Sequence, residues 1–178
     1  MERITEKRAE KLLKKYSKNS FAYRKVLQHV RAVRRLALKI ASKSKRRLDK
    51  KFISTASLLH DIGRFDNPPG SKRNAVWHGV AGARILRKEG LPRHARAAER
   101  HVGSGITKAE AKKLGLPAKS YLPRTAEEKI ICYADSLIFG DKEGTLKKLL
   151  ERYRKEVGPQ LVKRTIKLHD EIERMKNG

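Results

Sequence analysis

The chain has 178 residues, of which 38% are hydrophobic and 36% charged; this is enough for one substantial core and crowded for two domains. Lys and Arg number 45 against 19 Asp and Glu, a net charge of +26 with a pI near 10.5. The single cysteine, Cys132, excludes an intrachain disulfide and a multi-cysteine zinc site, and no stretch approaches the ~18 apolar residues of a membrane span. The opening MERITEKRAEKLLKKYSK lacks the apolar run of a signal peptide, so a cytoplasmic location is expected. One sign of charge dominates, which predicts attraction to polyanions, RNA or DNA foremost. The competing explanation is a lineage with a basic proteome. Aromatic residues, at 6%, rarely interleave with the basic runs, which argues against base stacking as the main mode of single-strand binding.

In chain order the sequence reads as helix after helix. Residues 3–17 form a short amphipathic helix with Ile4, Leu12 and Leu13 on its apolar side. Over 21–43, Val26, Val30, Val33, Ala37 and Ile40 recur at three- and four-residue steps, and His29 lies on or beside that face. A third helix runs from about Asp49 through Ile53, Ala56 and Leu59 to His60-Asp61, with Gly63 as its stop. Pro68-Pro69-Gly70 forces a loop. Residues 75–89 form a helix opened by His78, whose Gly79, Ala81, Gly82 and Ala83 permit close packing. Residues 92–102 form another, closed by His101. TKAEAKKLG is a short exposed helix and LPAKSYLPR a loop. Thr125 and Glu128 make a capping box for a helix through Asp135 to about Phe139. Two amphipathic helices, 143–157 and 159–175, split at Gly158-Pro159, complete the chain. No β alternation, repeat or low-complexity linker is evident. The expected fold is all-α: one compact helical bundle over 1–178, with its motif-bearing core at about 20–140 and the helices of 141–178 packed on it.

Six polar residues fall where burial is costly. His29 is on an apolar helix face, His60-Asp61 ends an apolar helix, His78 opens one, His101 closes one, and Asp135 sits within IICYADSLI. An unpaired polar or charged group in a core costs several kcal/mol. Each could singly be a hydrogen-bonded core residue; jointly they point to a shared metal centre. Imidazole nitrogen with carboxylate oxygen suits intermediate first-row metals, and without thiolates a structural zinc site of the cysteine type is excluded. The doublet His60-Asp61 stands at a helix C-terminus, whose partial negative charge favours cations. His94 and His169 lie among charged residues and are expected at the surface; Cys132 is expected in the core.

These residues also carry a family resemblance. LLHDIG resembles the signature of HD-domain metal-dependent phosphohydrolases, and the order His29…His60-Asp61…His78…His101…Asp135 is similar to the subset with H…HD…H…H…D. The resemblance covers about residues 20–140. HGVAGARILRKEGLP, AERHVGSG and TAEEKIICYADSL look especially like small archaeal proteins with the HDIG variant. More distantly they resemble bacterial hydrolases that split symmetrical dinucleoside tetraphosphates. The resemblance implies a helical bundle with one metal ion held by His29, His60, Asp61 and Asp135. It implies that Asp61 bridges to a second ion held by His78 and His101. One or two divalent ions are thus implied, iron or manganese first, with zinc, cobalt or nickel as alternatives.

With few protein ligands per ion, positions stay open for water and a substrate oxygen. A metal lowers the pKa of bound water from 15.7 toward ~7, and two ions ~3.5–4 Å apart can clamp the attacking and leaving oxygens. The expected activity is hydrolysis of a phosphoester or phosphoanhydride, an activity of class EC 3.1, with Asp61, His60 and Arg64 as the catalytic residues. Arg64, Lys72 and Arg73 are the candidate phosphate holders, with Lys119 and Arg124 further off and the loops 103–107 and 117–124 bordering the pocket. The expected partner is a nucleotide or dinucleotide. Two alternatives stay open: a phosphodiesterase or nuclease on RNA or DNA, and a non-catalytic nucleic-acid-binding module with a structural metal. The oligomeric state is not legible.

Overall fold

A computed structural model describes residues 4–70 and 75–177. The described residues are all-α apart from one short hairpin: α1 (Glu6–Tyr16), α2 (Ser20–Lys43), α3 (Lys50–Leu59), a 3-10 turn (Ile62–Phe65), α4 (Trp77–Lys88), α5 (Pro92–Arg100), α6 (Lys108–Lys113), α7 (Ala126–Leu137), β1 (Ile138–Phe139), β2 (Lys142–Glu143), α8 (Leu146–Glu156) and α9 (Pro159–Asn177). The helices begin where side chains satisfy their first free N–H groups. Asn19 accepts from the Ala22 amide to start α2, and Asp49 accepts from Phe52 to start α3. Thr107–Glu110 and Thr125–Glu128 form complete capping boxes at α6 and α7.

The apolar stripe of α2 lies on two cores at once. Val33, Ala37 and Ile40 join residues of α3, α7, α8 and α9, whereas Val30 joins residues of α1, α3, α4 and α5. The polar cluster described below takes residues from elements on both sides of this divide.

Two features depart from expectation. β1 and β2 pair antiparallel, Ile138 opposite Glu143 and Phe139 opposite Lys142, around a turn containing Gly140 at φ 69°. Two-residue strands are too short to show alternation in sequence. Gly63 is not the stop of α3, which ends four residues earlier at Leu59. Its role is contact: a Cβ there would lie 2.0 Å from the His78 carbonyl oxygen and 2.4 Å from the Gly82 amide nitrogen. Gly82 faces it reciprocally, and Gly79 lies against α5, where a Cβ would stand 3.1 Å from the Ala98 oxygen. The small residues of α4 thus draw the 3-10 turn and α5 against it, bringing the backbones that carry His60-Asp61, His78 and His101 together.

Candidate metal centre

Five segments contribute to one buried polar cluster: His29 from the middle of α2, His60 and Asp61 from the end of α3, His78 from the first turn of α4, His101 from the end of α5, and Asp135 from the last turn of α7. His60, Asp61, His78 and His101 are buried, while His29 and Asp135 keep 20% and 18% of their side chains exposed where the cluster meets a surface cavity. His29 Nε2 lies 2.9 Å from Asp135 Oδ1 and 3.6 Å from Asp61 Oδ2, and His60 Nε2 lies 3.4 Å from Asp135 Oδ1. On the other side, Asp61 Oδ1 is 3.2 Å from His78 Nε2 and 3.4 Å from His101 Nε2. Asp61 therefore turns one oxygen to each half of the cluster.

Hydrogen bonding at the outer nitrogens fixes what the inner ones present. Each Nδ1 faces a backbone carbonyl: His29 that of Gly140 at 2.6 Å, His60 that of Ser57 at 2.6 Å, His78 that of Ala75, and His101 that of Ala98 at 2.7 Å. A carbonyl only accepts, so all four Nδ1 atoms carry the proton. Ser57 and Ala98 sit in the last turns of α3 and α5, where carbonyls lack intrahelical partners. The imidazoles at these helix ends satisfy them and are oriented in return.

Rings so held aim their Nε2 atoms inward. His78 Nε2 and His101 Nε2 are 2.9 Å apart, and His60 Nε2 is buried without a hydrogen-bond partner among the described residues. Donors bound to one ion at 2.0–2.1 Å stand roughly 3–3.5 Å from one another, which is the spacing found here. The arrangement of carbonyl-oriented imidazoles around carboxylates is compatible with a divalent-metal site. Three overlapping triads have ligand atoms within 4.8 Å of one another: His29–His60–Asp61, His60–His101–Asp135, and Asp61–His78–His101. The donors fit a divalent ion, and the mixture of nitrogen and oxygen without sulfur favours a first-row metal.

The local field agrees. Burial raises the Asp61 pKa, yet Arg64 and the surrounding imidazoles outweigh it and hold the carboxyl well below the usual range. Asp135 is likewise held low, against burial, by His29 and His60. Burial pushes His78 down to about 3, so it stays neutral. At His29 burial is outweighed by the bond and charge of Asp135 and the charge of Asp61, lifting it to about 9. The carboxylates thus favour a positive charge at the centre, which a proton on His29 or a divalent ion can supply.

The HD domain family model matches residues 26–140, which contain all six residues. The chain belongs to the HD domain family. It is 43% identical over 153 residues to an uncharacterized protein of Methanocaldococcus jannaschii, covering 83% of this chain and 87% of that one. It is also 40% identical to a tRNA (cytidine(56)-2'-O)-methyltransferase of Picrophilus torridus and 39% identical to one of Thermoplasma volcanium, covering 83% and 89% of this chain. It spans only 41% and 44% of those two proteins. No solved structure matches.

The remaining expected residues divide. Arg64 lines the cavity over the HD cluster, with Nε 3.2 Å and 3.3 Å from the two Asp61 oxygens. Lys72 and Arg73 lie outside the described residues. Lys119 is drawn away by Glu99 at 2.8 Å, and neither it nor Arg124 lines the cavity. Val102 and Gly103 do border it, whereas the loop 117–124 does not. Cys132 is buried as expected, its Sγ directed at the Gly103 carbonyl 3.2 Å away. His94 is not at the surface: it is 8% exposed, bonded to the Thr55 hydroxyl at 2.9 Å, because the alanines of α5 let that helix lie close on α3. His169 is half-buried against the Tyr133 hydroxyl at 2.6 Å. Sequence reasoning missed the Gly140 carbonyl that orients His29, and missed Lys25, Arg152 and Tyr153 on the cavity walls. Neither a backbone carbonyl nor a cation among so many leaves a mark in sequence.

Proposed function

We propose that this HD domain chain is a metal-dependent phosphohydrolase that cleaves a phosphoester or phosphoanhydride bond of a nucleotide or RNA-like substrate. The observation that carries the reading is the convergence of four inward imidazole nitrogens and two ionised carboxylates, all but His60 lining an open cavity of about 560 Å³ walled by Lys25, Arg64 and Arg152. A divalent ion held there supplies a Lewis acid for a phosphoryl oxygen and lowers the pKa of bound water toward ~7. His29, His60, Asp61 and Asp135 would hold the first ion. Asp61 would also join His78 and His101 in holding another. Asp61 and Asp135, both held well below the usual carboxylate range, would orient an attacking water by accepting its hydrogen bonds. Arg64 braces Asp61 from outside the cluster and presents positive charge to an anionic substrate. The cavity volume falls in the range of small-ligand sites, which supports a single nucleotide unit as the reacting part.

RNA as the substrate is a second reading, supported by the net charge of +26 and by relatives whose name specifies tRNA. The methyl transfer in that name belongs to proteins more than twice as long as the matched stretch and is not part of this proposal. Among the described residues no helix is long and apolar enough to cross a membrane.

The test is metal analysis of the purified protein followed by a phosphoester panel of p-nitrophenyl esters, nucleotides, cyclic dinucleotides, dinucleoside polyphosphates and short RNA. Metal-dependent turnover of any of these supports the reading. A loaded protein that hydrolyses none of them, and unfolds when stripped, supports a structural metal in a binding module instead. RNA turnover that falls steeply with salt favours the second reading over the first.

A further inference from the structure

Resting on the hydrolase reading, we propose that Arg152 holds a second phosphate of the substrate, next to the one that reacts. Arg152 stands on α8, beyond the 26–140 span of the family match, yet lines the same cavity as His29, Asp61, His101 and Asp135. Its guanidinium is seated on aromatic faces, with Cζ 4.7 Å from the centre of the Phe139 ring and 5.2 Å from that of Tyr153. The Phe139 ring is itself built in, because Gly144 leaves the space: a Cβ at 144 would lie 2.5 Å from Phe139 Cε2. A cation on a ring face is attracted by the ring quadrupole, and stacking fixes the plane of the guanidinium.

Among the described residues the side chain has only a distant ion pair. Its nearest carboxylate, Glu156, is 3.9 Å from Nε, and Nε is buried without a hydrogen-bond partner among the described residues. With Nε shielded, the terminal Nη pair is the part free to meet a ligand. That pair is a planar fork suited to two oxygens of one phosphate. Arg64, in contrast, already has Nε on Asp61 and belongs to the reacting end. One cation beside the cluster and a second, pre-oriented cation on another wall of the same cavity fit a substrate with two phosphate groups. These can come from a polyphosphate chain or from adjacent phosphates of an oligoribonucleotide.

The experiment compares metal-loaded wild type, R152A, R152K and F139L on three substrates: p-nitrophenyl phosphate with one phosphate, ADP with two in an anhydride, and the dinucleotide pApA with two on separate riboses. Expected for R152A is a fall of about tenfold or more in kcat/KM for ADP or for pApA relative to that for p-nitrophenyl phosphate, carried mainly by KM, with metal content unchanged. Whichever of the two falls names the source of the second phosphate. R152K restores part of the loss, having charge without the fork, and F139L, which removes the seat, shows a smaller rise in KM. Equal losses on all three substrates, or none, overturn the proposal. Calorimetric binding of inorganic pyrophosphate separates this from the hydrolase reading. If the wild type hydrolyses none of the three but R152A binds pyrophosphate about tenfold more weakly, the subsite stands and hydrolysis falls. Equal pyrophosphate affinity in wild type and R152A removes the subsite.

Discussion

His78 Nε2 and His101 Nε2 face each other at 2.9 Å, each ring held from behind by its Nδ1 on a carbonyl three residues back. Two imidazole nitrogens aimed at each other in a buried site suit a cation lying between or beside them. With Asp61 Oδ1 within 3.4 Å of both, these two rings form the half of the cluster assigned to a second ion. Replacing both with alanine should leave about one ion per chain where the hydrolase reading puts two in the wild type, measured by metal analysis after equilibration with excess metal and desalting. Two ions retained would move the second site elsewhere.

Asp61 contributes an oxygen to each half, so its loss should disturb both. Asp61→Asn keeps the shape and removes the charge. Hydrolysis should fall by no less than the about 10–100-fold that loss of an outer-shell partner typically costs at a metal site, together with metal content. Turnover equal to wild type would contradict the bridging role.

Gly63 tests the packing that assembles the cluster. A methyl group at this position would meet the backbone of His78 and Gly82 at 2.0 Å and 2.4 Å, and backbone cannot rotate aside as a side chain can. Gly63→Ala should cost at least about 2 kcal/mol in urea unfolding and should lower metal affinity, because the 3-10 turn and α4 must move apart. Unchanged stability would mean the two segments are less tightly opposed than described.

His94 makes a prediction about acid stability. Burial, and secondarily the neighbouring charge of Arg93, push its pKa down from 6.5 to about 4. The unfolded chain therefore binds a proton there before the folded one does. The contribution is complete above pH 6.5 and is lost as pH falls toward about 4, by about 3 kcal/mol at most. His94→Gln, which keeps a polar partner for Thr55 but does not titrate, should flatten that part of the stability curve relative to wild type. Parallel curves for the two proteins between pH 6.5 and 4 would show that His94 charges without penalty.

Much of this was legible before any coordinates. Val30, Val33, Ala37 and Ile40 mark the buried stripe of α2, and the Thr125–Glu128 capping box starts α7 one residue after the threonine. The six residues singled out for being costly to bury are the six that meet, since a buried polar side chain needs a partner wherever it lies in the chain. What sequence hid has equally physical causes. The carbonyl that orients His29 comes from Gly140, 111 positions away, and a backbone oxygen has no letter of its own. His94 looked exposed among its charged neighbours, yet the alanines around it bring α5 onto α3 and bury it. Lys119 looked available to a phosphate, but Glu99 holds it. Arg152 could not be told from the other cations until the rings beneath it were placed.

The central claim is that the His/Asp cluster binds metal, and the most direct measurement is the metal content of the purified wild-type protein beside that of Asp61→Asn. Element analysis should find first-row divalent ions at close to a fixed ratio in the wild type and a clear loss in the variant, with both proteins folded by circular dichroism. A folded wild type that stays free of such metals, even after equilibration with iron, manganese and zinc, would contradict it.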